Sequence, residues 1–284
     1  MKLSHLILLF LIFSCLPVNA IERLVIRIDD PDPSVFRHYL ETAADIASYR
    51  PGVYLDLVIP ASELPAYRAL HPALSVTQTE AQLKENLSSL ERDIPGYSTY
   101  SALMTEIQSL QAQYPSLIST QIIGSGWGYQ LAQTIPYYQN FNHQITAIKV
   151  SNDVLVEEDE PAIYFCGAHH AREPIGVEVC MEILTYLVEN YNLDPFVTNL
   201  LNTTQVWIVP LINPDGHKVV LDQTDVWWRK NIRDNNNSQN YTGGEYGYGA
   251  DGVDINRNYA WEWGYISATD DNNSATYHGP GALS

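Results

Sequence analysis

The chain has 284 residues with 15 Lys+Arg against 33 Asp+Glu, a formal net charge of −18, and 45% hydrophobic residues. That hydrophobic content provides a core and excludes general disorder. The negative charge excludes non-specific nucleic-acid binding, which needs cations to displace counterions from phosphate, and argues against simple adsorption on anionic membranes.

The first twenty residues read as a targeting segment. Lys2 supplies a positive start, Leu6 to Leu16 an apolar run, and Val18-Asn19-Ala20 a small-residue cleavage signal, so cleavage is expected after Ala20. The expected destination is secreted or periplasmic. The apolar run is shorter than a membrane span, and no other stretch is long enough to be one. Lipoprotein processing at Cys15 is disfavoured because Ile12-Phe13-Ser14 lacks the small residues that route takes. Cys166 and Cys180 remain, and either a disulfide or two buried thiols fits an oxidising compartment.

Residues 21–92 have the pattern of a small α+β module. Arg23 to Ile28 alternates as a strand does, Ser34 to Tyr49 has helical spacing, and Val53 to Ile59 is a second strand. Ala61 to Leu70 is a short helix, Leu74 to Gln78 a third strand, and Glu80 to Arg92 a polar connector. A unit between a targeting segment and the rest of the chain sits where a pro-segment would lie; the alternative is the first part of one continuous domain.

A second unit, 93–284, begins with a helix over Ser98 to Tyr114 that Pro115 stops. Strands follow over Ile118 to Ile123 and Ile145 to Val150, with a turn-rich break at Gly124 to Gly128. Two nearly continuous apolar runs, Ala162 to Cys166 and Gln205 to Ile212, read as strands buried on both faces of a sheet. The helical pattern Ile175 to Tyr191 between them completes a parallel crossover unit, right-handed by rule. The expected class is α/β. Ligands of such sheets bind beyond the carboxyl ends of the strands. The two runs end in His169-His170-Ala-Arg-Glu173 and in Asn213-Pro-Asp-Gly216, so both loops face one edge.

His170 and Glu173 form an H-x-x-E spacing at a strand-to-helix junction, and Zn²⁺ takes imidazole nitrogen and carboxylate oxygen together. By itself the spacing also arises by chance. Downstream, Trp227-Trp228-Arg229-Lys230-Asn231 and Gly252-Val-Asp254-Ile-Asn256-Arg257-Asn258 set arginines among aromatics and asparagines. Read singly, Arg229 could be a cation stacked on tryptophan and Arg257 a loop-fixing ion pair.

In order, the blocks read G-x-H-H-A-R-E, N-P-D-G, W-W-R-K-N, G-V-D-I-N-R-N-Y and Y-H-G-P. This succession resembles the zinc carboxypeptidases, both carboxypeptidase A-like and bacterial carboxypeptidase T-like. The resemblance runs from Tyr97 to the end and is weaker before Pro161. It implies an α/β/α sandwich with a mixed, largely parallel central sheet, a zinc cofactor, and hydrolysis that releases the C-terminal residue of a peptide or protein. It further implies that His170 and Glu173 are zinc ligands, with Asp254 orienting the histidine. Arg229 matches the arginine that stabilises the oxyanion, and Asn256 with Arg257 the pair that holds the terminal carboxylate.

The family's third ligand histidine, capping tyrosine and general-base glutamate come after the Y-H-G-P block, and no residue up to Ser284 matches them. A truncated or interrupted product, or a fragment of a longer chain, is therefore expected. His278 is a possible substitute ligand, although in the family that histidine belongs to a turn. Two other readings stay open: a catalytically incomplete peptide-binding homologue, and an enzyme acting on cell-wall peptides. A monomer is the default assembly. Asp234 to Asn237 and Asp270 to Asn273 read as solvated loops.

Overall fold

The computed structural model describes residues 22–93, 96–156, 159–237 and 251–284; the targeting segment read over residues 1–20 lies outside them. Among these described residues, two four-stranded sheets organise the fold.

The first is wholly antiparallel, in the order β2-β3-β1-β4, and comprises β1 (Arg23–Asp29), β2 (Ile46–Arg50), β3 (Tyr54–Pro60) and β4 (Ser75–Thr79). Alternating Leu24, Ile26 and Ile28 face Leu55, Leu57, Ile59 and Tyr39 in a small core. The helix expected over Ser34 to Tyr49 is shorter. It is α1 (Pro33–Glu41), capped by Asp32, whose carboxylate accepts from Ser34 N–H at 2.8 Å. Ala43 takes a left-handed φ of 53° and ends the helical path, so the residues after it turn into β2. Tyr49, counted as helical by its spacing, instead stacks its ring on Phe36 at 3.7 Å from a strand position. A short helix, α2 (Leu64–Leu70), precedes β4. The stretch read as a polar connector is helical, α3 (Glu80–Asp93).

The second sheet has the order β5-β6-β8-β7, from β5 (Ile118–Ser125), β6 (Gln144–Val150), β7 (Ala162–Cys166) and β8 (Gln205–Val209). The sheet is mixed as expected. Its β7–β8 pair is parallel, while β5–β6 and β6–β8 are antiparallel, so parallel pairing is the minority here. Helices α4 (Tyr100–Gln113), α6 (Ile175–Asn190) and α7 (Pro195–Leu201) pack one face. There Leu103, Ile107, Val177, Met181 and Leu184 meet Ile148, Val150, Val206 and Ile208. Each such side chain, fully buried, contributes about 1.5–3 kcal/mol. A second cluster gathers Val219 and Val220 of α8 (Pro214–Leu221) with Tyr138, Trp228 and Ile232, beside α5 (Trp127–Leu131).

The expectation that β7 is buried on both faces is overturned. Ala162, Ile163 and Tyr164 are exposed. The physical reason is strand order: β8 lies between β6 and β7, leaving β7 at the edge with a neighbour on one side. Among the described residues, no helix is long and apolar enough to cross a membrane.

Candidate functional site

The parallel pair β7–β8 and the helix α6 fix where the site lies. Beyond Cys166 the chain must pass between the β8 loop and the start of α6. Gly167 allows it, because a Cβ there would lie 2.5 Å from the Pro210 carbonyl and 2.6 Å from that of Gly176. The helix begins at Ile175, with Pro174 already in helical geometry as its cap. His169 to Glu173 is thus pinned at the carboxyl edge of the sheet.

Asn213 locks this loop to its neighbours. It is buried, donates to the carbonyls of His169 (3.1 Å) and Lys230 (3.0 Å), and accepts from Gly216 N–H. Ala171 N–H donates to the Arg229 carbonyl. Asn231 binds Val253 through both its backbone N–H and its side-chain oxygen. Gly252 turns between them at φ 82°, where a Cβ would strike the Asn231 carbonyl at 2.2 Å. Four blocks scattered over the sequence are thereby joined by buried hydrogen bonds.

Asp254 is the centre of the assembled site. It is fully buried, and Arg229 donates to its Oδ2 from Nε at 2.9 Å and from Nη2 at 2.9 Å. Asn256 N–H donates to Oδ1 at 3.0 Å, and His170 Nε2 lies 3.5 Å from the same oxygen. Burial alone would raise the Asp254 carboxyl. The Arg229 guanidinium, with the His170 ring nearby, outweighs it and holds the acid well below the usual carboxylate range. A permanently ionised carboxylate behind the imidazole fixes which nitrogen faces forward.

That forward nitrogen is Nδ1. Both Glu173 oxygens lie 3.0 Å from it. Burial pushes the Glu173 carboxyl up, and the His170 bond brings it below its ordinary value overall. Nδ1 and the carboxylate therefore converge on one point, as two ligands of a single cation do. Nε2 has no hydrogen-bond partner, its nearest polar neighbour being Asp254. In kind and direction these donors fit zinc. They number two where a zinc site takes three or four protein donors, and among the described residues no group of three or more His, Cys, Asp or Glu is placed to hold a metal.

His278 does not supply the missing donor. Its Nδ1 is engaged by the Gly279 carbonyl at 2.8 Å and its Nε2 by Asp270 at 3.1 Å, with the ring set edge-on against Trp263. His169 is turned away as well, 2.7 Å from the Tyr259 hydroxyl.

Asn256 is exposed between two hollows. One is a cleft of about 410 Å³ that includes His170 and Glu173; the other, about 210 Å³, includes Arg257, Tyr259, Trp261 and Tyr265. Arg257 donates from Nε to the Ser267 carbonyl at 2.8 Å and from Nη1 to the Asn256 carbonyl at 3.0 Å. All six residues singled out in the sequence are thus brought to one neighbourhood.

Arg172 escaped the sequence reading. It forks onto both oxygens of Asp45, with Nη1–Oδ2 at 2.6 Å, and both side chains are 6% exposed. Asp45 belongs to the first unit, so this pair joins the two sheets beside Glu173. Arg23–Asp225 at 2.6 Å and the packing of Val25 and Val58 on Val226 and Trp227 complete the junction. The one available signal was the position of Arg172 within the histidine block of a chain poor in cations.

The family model for zinc carboxypeptidase matches residues 103–284. The chain is similar to a zinc carboxypeptidase of Saccharothrix mutabilis subsp. capreolus, 28% identical over 170 residues, covering 60% of this chain and 33% of that protein. It is 29% identical over 184 residues to carboxypeptidase A2 of Rattus norvegicus, covering 65% of this chain and 37% of the relative. This chain therefore spans about a third of the length of these two relatives. The crystal structure of the carboxypeptidase A from Helicoverpa armigera has the same fold, with TM-score 0.70 at 18% identity over 92% of this chain and 63% of the other. The alternation of sheet, loop and helix that carries His170, Glu173, Arg229 and Asp254 is accordingly that of a known group: the chain belongs to the zinc carboxypeptidase family.

Proposed function

We propose that this chain carries the first part of a zinc-dependent carboxypeptidase, which releases the C-terminal residue of a peptide or protein. The observation that carries the reading is the convergence of His170 Nδ1 and the Glu173 carboxylate in front of an ionised Asp254. When bound there, zinc supplies a Lewis acid and lowers the pKa of a coordinated water to about 7.

The chain's own residues divide the remaining work. Asp254 orients His170 from the Nε2 side; with a metal at the site in place of the proton that Nδ1 shares with Glu173, Nε2–H is left facing Asp254. Arg257, with Asn256 beside it, binds the substrate's terminal carboxylate; a planar guanidinium suits both carboxylate oxygens. Arg229 spends two donors on Asp254, which fixes its plane, and stabilises negative charge on the carbonyl under attack. Removing one such donor typically costs about 3–4 kcal/mol in the transition state.

Residues 1–20 act as a secretion signal, and the first unit, to about residue 92, acts as a pro-segment. Support for the second role comes from the Asp45–Arg172 pair, which sets the first unit beside the metal-facing loop.

The test is hydrolysis of one peptide with a free and with an amidated C-terminus, in the presence of zinc. The account expects release from the free form alone, abolished by a chelator and by Arg229→Ala. Equal cleavage of both forms would contradict it. Selective binding of the free form without cleavage would favour a peptide-binding homologue, a reading that the count of two metal donors among the described residues also supports.

A further inference from the structure

A further cavity, of about 290 Å³, lies at the start of α4. Its walls are the first turn of that helix, the residue before β6 and the second half of α8. β7 and α6 take no part in it, and it shares no residue with the two hollows at the rim. The volume lies at the lower end of ligand pockets and suits a molecule as small as a single amino acid.

One side of the cavity offers hydrogen-bond donors. α4 is capped by Thr99, whose hydroxyl takes the N–H of Ala102 at 3.3 Å, and the first backbone bond of the helix runs from Leu103 N–H to the Thr99 carbonyl. The N–H groups of Tyr100 and Ser101, both at the cavity, are left without an acceptor among the described residues. They carry the partial positive charge of a 14-residue helix, and Lys218 stands at the same cavity. Such an end takes a carboxylate.

The other side offers acceptors. His143 is 7% exposed and held at Nδ1 by Asp215 at 2.7 Å. Asp215, 1% exposed, also accepts from Gly128 N–H at 2.8 Å. Gly126 clears the space for it, since a Cβ there would lie 2.2 Å from Oδ2. A carboxylate only accepts, so Nδ1 carries the hydrogen and Nε2 is an acceptor. Nε2 has no hydrogen-bond partner among the described residues, and His143 lines the cavity. Asp222 adds a half-exposed carboxylate, 2.6 Å from Lys218. Lys218 and Asp222 cancel in charge, so the cavity suits a ligand that carries both signs rather than a net anion.

We infer that this cavity binds a free α-amino acid as its zwitterion. The carboxylate sits on the Tyr100 and Ser101 N–H groups beside Lys218, and the ammonium donates to His143 Nε2 and Asp222. The Tyr100 ring, 4.5 Å from the His143 ring and tied through its hydroxyl to Gln144, forms with Leu221 an apolar wall for the side chain. The residue that a carboxypeptidase releases belongs to this ligand class, but binding here does not depend on hydrolysis at the other site.

The experiment is equilibrium dialysis of L-leucine against the full chain without added zinc, and against Arg257→Ala, which lacks the guanidinium proposed for the substrate's carboxylate. Saturable binding of one leucine per chain is expected in both. Ser101→Asp sets a negative charge where the ligand carboxylate docks. An acid suits the first turn of a helix, so the thermal melt should persist while leucine binding weakens about tenfold or more. Leucinamide, which lacks the carboxylate, and 4-methylpentanoate, which lacks the ammonium, should each bind about tenfold more weakly than leucine. No saturable binding overturns the inference. So does leucine binding that is unchanged in Ser101→Asp or lost in Arg257→Ala, and so does equal binding of leucine and either analogue.

Discussion

The floor and the rim of the site are built on opposite principles. The floor, from Asn213 through Arg229 and Asp254, is buried and its groups are tied by hydrogen bonds and an ion pair that need no ligand. The rim, with Glu173, Asn256 and the β7 edge, is open to solvent. The floor is thus fixed on folding, while the rim remains accessible. Arrangements of this kind keep the orientation of a metal-facing histidine independent of whether the metal is there.

Substitutions should separate the two regions by the size of their effect on stability. Asp254→Ala strips the partner from a buried guanidinium, and a loss of about 3–5 kcal/mol is expected in urea unfolding. Little loss would mean that the floor is not preformed. Arg172→Ala and Asp45→Ala should each cost about 3 kcal/mol at the junction of the two units. A double-mutant cycle should show that the second substitution adds little to the first, and additive losses would contradict the pairing.

A smaller effect concerns pH. His217, buried with its Nε2 donating to the Ser98 carbonyl at 2.9 Å, has its pKa lowered by burial. A base whose folded pKa is depressed stabilises the protein above its unfolded value of about 6.5. That contribution is lost as pH falls below 6.5 toward the folded pKa. Stability should therefore decline from pH 7 to pH 5, and the slope should flatten in His217→Gln. Smallest is Glu173→Gln on the rim. Glu173 is half exposed and its side chain pairs with the neighbouring His170, so stability should change by less than about 1 kcal/mol while zinc uptake is lost.

Much of the floor was legible in the sequence because its residues come in short blocks whose chemistry is local. The apolar run before His169 and the helical spacing after Pro174 mark a strand and a helix within a few residues, and both are present; Asp254, Asn256 and Arg257 stood out through the order of the blocks and the family it resembles. What stayed hidden depends on placement. The apolar content of β7 reads as burial on both faces, and only strand order reveals that one side faces solvent. Tyr49 fits a helical period, yet a left-handed Ala43 diverts the chain into β2. Asp45 and Arg172 are 127 positions apart, and no periodicity links an acid in one unit to a base in the other.

The most direct measurement is a zinc titration by competition calorimetry of the full chain beside His170→Ala, Glu173→Gln and Asp254→Asn. The account predicts one site in the unsubstituted chain, lost in the first two variants and weakened about 10- to 100-fold in the third. Zinc binding that is unchanged by His170→Ala and Glu173→Gln would contradict it, because the converging pair would then not be where the metal is held.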